Sequence, residues 1–271
     1  VGSHDVLQRS DYERVMTEAA DIGCRQVQFI GGEPTLNSDL VRHIDFAARR
    51  GFTFIEVFSN LTRLDAPLID CFRTHGVHVA TSVYAATAMT HDAITKTRGS
   101  FDRTIASVRR LRRAEVPVRA GVIEMEQNAG QTEETIRFLK DLGVSEVRTD
   151  RLRRFGRAAA DDDVPMSELC GSCAGGTLCV APDGRVSPCI MSKQWSVGDC
   201  RTTSLAEIVQ TSDLRAVREQ IYATVVAPRN DPRAESCGPC TPCSPDTNCN
   251  PCPPNTNCPP NQCPPYCVPN R

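Results

Sequence analysis

Through residue 160 the chain alternates two hydrophobic periods. Apolar residues at helical spacing give way to short apolar runs, and glycines mark most of the changes. Ser10 or Asp11 is placed to cap a helix reaching about Ile22, with Val15, Ala19 and Ile22 on one face and Gly23 as its stop. "RQVQFI" is then a short strand. Ser38 opens a second helix that carries Leu40, Ile44 and Ala47 as far as Gly51, and the strand "FTFIEVF" follows. A helix over 66–75 ends at Gly76 before "VHVATSV". Helix 101–113 leads through Pro117 to "VRAGVIEM", and helix 131–142 stops at Gly143 before "SEVRTD".

Five strands separated by helices require a parallel sheet with right-handed crossovers and helices outside it. In barrels and open sheets of this kind, ligands gather at the carboxyl ends of the strands. Those ends carry Gly31-Gly32-Glu33-Pro34, Ser59-Asn60, Ser82 to Tyr84, Glu124 to Asn128 and Asp150-Arg151. Polar residues and turns collect where a site belongs.

Beyond residue 160 the pattern changes. Residues 161–169 ("DDDVPMSEL") read as an acidic linker, and "SLAEIVQTSDLRAVREQIY" as two short helices. From Cys237 onward, eight cysteines and eleven prolines crowd into 35 residues, with a nine-residue repeat at 242–250 and 251–259. So short a piece buries too little apolar surface to order itself without ligands as staples. The expected organisation is a first domain over 1–160 and a cysteine-rich domain over 161–271, whose tail spans 237–271.

Net charge changes the picture only by exclusion. A balance of −2 sets up no field for nucleic acid or a membrane surface. There is no 18-residue apolar run and no signal-peptide segment, so the expected compartment is the cytoplasm. Arg109, Arg110, Arg112 and Arg113 read as one solvated helix surface. The five histidines show no ligand spacing, and no G-x4-G-K-[ST] phosphate loop is present.

Two motifs carry chemistry. In "VQFIGGEPTL", glycines let backbone approach a ligand closely, and Glu33 suits a cation such as an ammonium group. The same residues also suit a plain strand-to-helix turn, with Glu33 favoured by the helix dipole. From this motif alone both readings stand.

The cysteines speak more strongly. Only Cys24 and Cys71 fall within 1–160, where they read as small packing residues; the other thirteen lie beyond. Cys170-x2-Cys173 is followed by Cys179 and by Gly184-x4-Cys189. The tail adds Cys237-x2-Cys240-x2-Cys243-x5-Cys249-x2-Cys252-x5-Cys258-x4-Cys263-x3-Cys267. Without an export signal, such spacing favours metal ligation over disulfides, and it suits zinc or the corners of an iron–sulfur cluster equally. A low-complexity tail of incidental cysteines is the competing reading.

With these features in place, the chain resembles radical S-adenosylmethionine enzymes of the SPASM class along essentially its whole length. The resemblance implies an α/β fold: a partial (β/α) barrel of parallel strands lacking its first strand, followed by a small metal-stapled domain. "QFIGGEPTL" is similar to the family motif whose backbone and acid hold the methionyl amino group of S-adenosylmethionine. That match implies cofactor binding by Gly31, Gly32, Glu33 and Pro34, with Ser59, Asn60 and Ser82 contributing from the next strand ends.

Gly184-x4-Cys189, with Cys170 or Cys173 before it, is similar to the first half of the SPASM pattern. Cys249, Cys252, Cys258, Cys263 and Cys267 approximate the second half, and Cys240, Cys243 and Cys249 fit equally well because of the repeat. One or two auxiliary 4Fe–4S clusters are implied, with Cys179 a further candidate ligand.

The family's C-x3-C-x2-C is absent from these residues, and residue 1 is Val, so the expectation is that an N-terminal strand and its cluster loop are either lost or not included in this sequence. In its intact form the implied activity is modification of a ribosomally made precursor peptide. A 5′-deoxyadenosyl radical would abstract hydrogen, with a flavodoxin or ferredoxin as reductant; the chain alone would hold auxiliary metal but not cleave the cofactor. The alternatives are a non-catalytic metal-binding protein that recognises peptides, and a zinc-stabilised α/β enzyme using Glu33 as acid or base.

Overall fold

The structure is a computed structural model, and it describes residues 6–153, 164–173 and 175–230. Five strands form one parallel sheet in the order β1 (Gln26–Phe29), β2 (Phe54–Phe58), β3 (His78–Ser82), β4 (Val118–Glu124) and β5 (Glu146–Arg151). Register runs Val27 to Ile55, Val57 to Val79, Ala80 to Arg119 and Gly121 to Arg148. Strands β1 and β5 are the two edges, and among the described residues the sheet does not close.

Helix α1 (Arg9–Asp21) precedes the sheet, and the helices between its strands are α2 (Leu40–Arg49), α3 (Ala66–Thr74), α4 (Ala88–Thr95), α5 (Ser100–Arg113) and α6 (Thr132–Asp141). Alternate strand residues Ile55, Val57, Val79, Val118, Ala120 and Val122 turn to the helices. They pack there against Leu40, Ile44, Phe72, Ile105, Val108, Leu111 and Leu139. Burial of such a side chain is worth roughly 1.5–3 kcal/mol, which makes this layer the main source of stability. The other strand residues, among them Gln28, Glu56, Arg119 and Arg148, occupy the opposite face.

Three details differ from the expectations. The first helix is capped one turn earlier: the Gln8 amide donates to the Asp11 carboxylate at 2.8 Å, so Asp11 lies inside the helix rather than at its cap. Helix α4 was not foreseen; its only buried side chain is His91, which leaves no apolar stripe to read. Cys24 is exposed and donates its thiol to the Gln26 carbonyl, whereas Cys71 is buried.

Two compact units divide the described residues. The larger contains 6–153 with Pro182–Gly184 and Asp199–Val209; the second contains 164–173, 175–181, Arg185–Gly198 and 210–230. In the larger unit, α7 (Leu205–Ile208) starts at Ser204, and the Leu205 amide donates to the Glu18 carboxylate of α1 at 2.8 Å. Short strands β6 (Cys179–Val180), β7 (Arg185–Ser187) and β8 (Gly198–Asp199) form a second sheet in that order. Helices α8 (Ser212–Ile221) and α9 (Ala227–Asn230) follow, joined through a wider turn at Tyr222–Val226. Val164, Met166 and Leu169 are buried, so the end of the expected linker packs instead of spanning solvent. The expected tail ligands Cys240, Cys243, Cys249, Cys252, Cys258, Cys263 and Cys267 lie outside the described residues.

Candidate functional site

At the carboxyl end of β1 the chain turns through Gly31 (φ +94°) and Gly32 (φ +50°), both exposed. Backbone at φ +94° is closed to most side chains, which explains a glycine at position 31. A single turn of 3-10 helix, Pro34–Leu36, follows, with Pro34 buried at its first position, where proline's missing N–H costs nothing.

Glu33 is held from three directions. Its Oε1 accepts from the Ser59 hydroxyl at 2.6 Å, the Thr35 hydroxyl at 2.8 Å and the Thr35 amide at 3.1 Å. Among the described residues its Oε2 accepts only from the Asn60 amide, at 2.8 Å. A carboxylate has about four lone-pair positions. Oε1 is saturated, and Oε2 retains room for a further donor.

The loop after β2 is itself braced. Ser59 Oγ accepts from the Leu61 amide at 2.9 Å, and Asn60 Oδ1 from the Thr62 amide and hydroxyl at 2.9 and 2.7 Å. The Thr104 hydroxyl of α5 donates to the Asn60 carbonyl at 2.8 Å. Leu61 is fully buried yet has φ +57°, a conformation that costs a leucine on the order of 1–2 kcal/mol and persists only because its surroundings impose it.

Of the residues expected here, Glu33, Ser59 and Asn60 are therefore brought together, beside Gly31, Gly32 and Pro34. Ser82, at the end of β3, is half-buried, and its hydroxyl has no partner among the described residues. Thr35 and Thr104 were missed. Thr35 had a signal, since a threonine two residues after an acid readily folds back on it; Thr104 lies on a helix face whose apolar stripe masked it.

The ends of β3 and β4 are tied by Asn128. Buried at 1% exposure, it donates to the Tyr84 and Ile123 carbonyls and accepts from the Met125 amide, all at 2.8 Å. Nearby, Asp92 accepts from the Phe101 amide and Ser100 hydroxyl at 2.9 Å and from the Gly99 amide at 2.5 Å, so α4 caps α5. These bonds hold its carboxyl below the ordinary aspartate range, the Phe101 amide most of all.

In the second unit, the sulfurs of Cys173 and Cys189 lie 3.0 Å apart. Cys170 also bonds Cys173. The Cys173 contact, then the Ser192 hydroxyl and nearby amides, pull the Cys189 thiol down to about 6 against its burial. Cys173 is pushed well up by the same contact and by burial. Cys179, on β6, is raised by burial, and the charges of Lys193 and Cys189 act on it.

Among the described residues, no three His, Cys, Asp or Glu side chains are arranged to hold a metal ion. Even so, the donor chemistry fits an iron–sulfur cluster, because thiolate sulfur is what such clusters take and two sulfurs already converge. The free position on Glu33 Oε2 likewise fits the ammonium of S-adenosylmethionine. Cys200 belongs to the larger unit; it is buried beside Arg14, and burial raises its thiol.

Comparison with known proteins agrees with this layout. The model of the radical SAM superfamily matches residues 2–142, and that of an iron–sulfur cluster-binding domain, SPASM, matches residues 170–244. The first covers more than half of the sequence, and the chain belongs to the radical SAM superfamily. It is 26% identical over 155 residues to the PqqA peptide cyclase of Gluconobacter oxydans, covering 55% of this chain and 42% of that protein. It is also 26% identical over 163 residues to the AdoMet-dependent heme synthase of Methanosarcina barkeri, covering 60% and 46%. The chain thus spans less than half the length of these curated relatives.

Among solved structures, Streptococcus suis SuiB bound to its precursor peptide SuiA superposes with a TM-score of 0.64 at 14% identity, over 77% of this chain and 59% of that one. Native anSMEcpe with bound AdoMet and the Cp18Cys peptide gives 0.62 at 14% identity, over 80% and 76%. At such identity these likenesses establish the fold. No helix among the described residues is long and apolar enough to cross a membrane.

Proposed function

We propose that this chain serves a radical S-adenosylmethionine enzyme that modifies a ribosomally made peptide. In this reading residues 1–160 hold the cofactor and 161–271 hold auxiliary clusters, and a flavodoxin or ferredoxin supplies electrons. The observation that carries it is the Glu33 carboxylate at the strand ends, immobilised through Oε1 and open at Oε2.

Glu33 receives the methionyl ammonium at Oε2. Ser59 and Thr35 fix the carboxylate's plane, so little rotamer freedom is lost when the ligand arrives. Gly31 and Gly32 bring backbone amides to the same end of the sheet. Cys170, Cys173, Cys179 and Cys189 contribute thiolates to an auxiliary cluster, completed by tail cysteines. When bound, S-adenosylmethionine with a reduced 4Fe–4S cluster supplies hydrogen-atom abstraction, while the protein orients and shields the reactants. A peptide as substrate is supported by the relatives, which include a peptide cyclase and SuiB bound to its precursor.

Calorimetry on Glu33→Gln tests the assignment. The isosteric amide keeps one acceptor oxygen but loses the charge, and S-adenosylmethionine should bind about tenfold more weakly, equivalent to about 1.4 kcal/mol. Unchanged affinity would remove Glu33 from the site.

A further inference from the structure

In the second unit, the loop that carries Cys189 is tied to itself by two buried serines. Ser187 ends β7 at 3% exposure, and Ser192 follows Cys189 in the loop at 0%. The Ser192 Oγ accepts from the Cys189 amide at 2.7 Å, which fixes that oxygen against the residue whose thiol is the candidate ligand. Thr177 holds the loop from its other side, donating its hydroxyl to the Pro188 carbonyl at 3.2 Å.

The Cys189 carbonyl is offered more donors than it can take. The Ser192 amide lies 3.1 Å from it, and the hydroxyls of Ser187 and Ser192 each lie 3.0 Å from it. A carbonyl oxygen has two lone pairs, so one of these donors is surplus. The amide is fixed by the backbone; a hydroxyl is free to rotate. Each serine also has a sulfur as its second acceptor: Cys189 for Ser192, and Cys179 for Ser187.

Two observations choose Ser192 as the hydroxyl that turns to sulfur. Its oxygen already receives the Cys189 amide, and accepting that bond polarises its O–H into a better donor. The Cys189 sulfur, in turn, is the more strongly prepared acceptor, for it also meets the Met191 and Ser192 amides and lies 3.0 Å from the Cys173 sulfur. A hydrogen bond to an ionised acceptor is roughly twice as strong as one to a neutral carbonyl. Once Cys189 is a thiolate, Ser192 gains by turning to it, and Ser187 keeps the carbonyl.

We propose that Ser192 is a positioning residue for the auxiliary cluster, whose hydroxyl donates to the Cys189 thiolate and raises the reduction potential of the cluster bound there. The inference rests on the iron–sulfur reading proposed above. Added electron density falls partly on ligand sulfur, and a donor aimed at that sulfur favours the reduced state. The electron comes from an external reductant, and Ser192 keeps its proton throughout.

The test uses the full chain after anaerobic reconstitution. It is titrated with dithionite in the presence of redox mediators, and midpoints are read from the visible absorbance and electron paramagnetic resonance. In Ser192→Ala the equilibrium constant for reducing one cluster should fall about tenfold, equivalent to about 59 mV for one electron. Iron and sulfide should stay at the parent level. Ser192→Thr restores a hydroxyl and should return that constant to within about twofold of the parent.

A midpoint that does not move in Ser192→Ala overturns the proposal. So does a fall that Ser192→Thr leaves in place, since packing alone would then account for it. If Ser192→Ala takes up less iron than the parent, Ser192→Cys carries the reading. Its thiol fills nearly the same space as a weaker donor, so the constant should fall by about threefold or more. An unmoved midpoint there overturns the proposal equally. Parent protein that takes up zinc and no iron refutes the iron–sulfur reading itself, an outcome distinct from an iron-loaded parent whose midpoint ignores Ser192.

Discussion

His43 shows how a single side chain couples this fold to pH. It lies on α2 at 2% exposure, between Tyr12 (ring centroids 4.8 Å) and Phe29 (6.3 Å), and its Nδ1 has no hydrogen-bond partner among the described residues. Burial is the largest influence and lowers its pKa, against Asp39 and Glu13, which raise it, while Arg9 lowers it further. A histidine depressed in the folded state binds its proton more readily when unfolded. Stability therefore rises with pH between the folded value and the unfolded one near 6.5, and is lost as pH falls through that window. His91 works in the same direction: its Nδ1 accepts from the Tyr84 amide at 3.3 Å, and burial lowers it. His43→Phe should flatten the decline of melting temperature between pH 7.5 and 5 without abolishing it, because His91 remains. It should also add about 1 kcal/mol throughout, since an unsatisfied buried nitrogen is removed, and more at the acid end, where no histidine is left at this position to favour the unfolded state by protonation. An unchanged slope would mean that His43 does not titrate in this range.

Among the elements, β3 has the least room for change. Its Ala80 is fully buried on the face away from the helices and is the register partner of Arg119, whose side chain reaches Glu56 on β2, so a larger side chain meets that ion pair. Ala80→Leu should destabilise by about 1–3 kcal/mol from overpacking alone, read from the urea midpoint. It should also uncouple the ion pair: Glu56→Gln should cost several-fold less when combined with Ala80→Leu than in the parent. Additive effects would show that the crossing over Ala80 is incidental. Sequence pattern read all five strands and five of the six helices that precede or connect them, because period and glycine stops report on burial at one face. Helix α4 escaped that logic, having a buried histidine in place of an apolar stripe. The Glu56–Arg119–Gln28 bridge escaped too, since Glu56 and Arg119 are 63 residues apart and only register across the sheet joins them. Glu33 was legible from its glycines, but the braces from Ser59 and Asn60 depend on how β1 and β2 are paired.

At the scale of the molecule, each unit presents its chemistry on a different principle. The larger unit positions oxygen and nitrogen donors from a sheet whose order comes from its apolar core. The second unit has strands of two or three residues, too short to read as elements from the sequence, and little to hold them without ligands. Its thiols are thus expected to contribute folding energy as well as cluster ligation. Cys173 and Cys189, already 3.0 Å apart, are the pair on which this depends. After anaerobic reconstitution, Cys189→Ser and Cys173→Ser should each lower bound iron and sulfide by about one cluster and reduce the brown visible absorbance. Each should also increase proteolysis between residues 164 and 230, as the second unit loosens, while fragments spanning the five-stranded sheet persist. Parent protein that binds stoichiometric zinc and stays colourless would refute the iron–sulfur assignment. Full iron content in both serine variants would instead place the ligands among the tail cysteines.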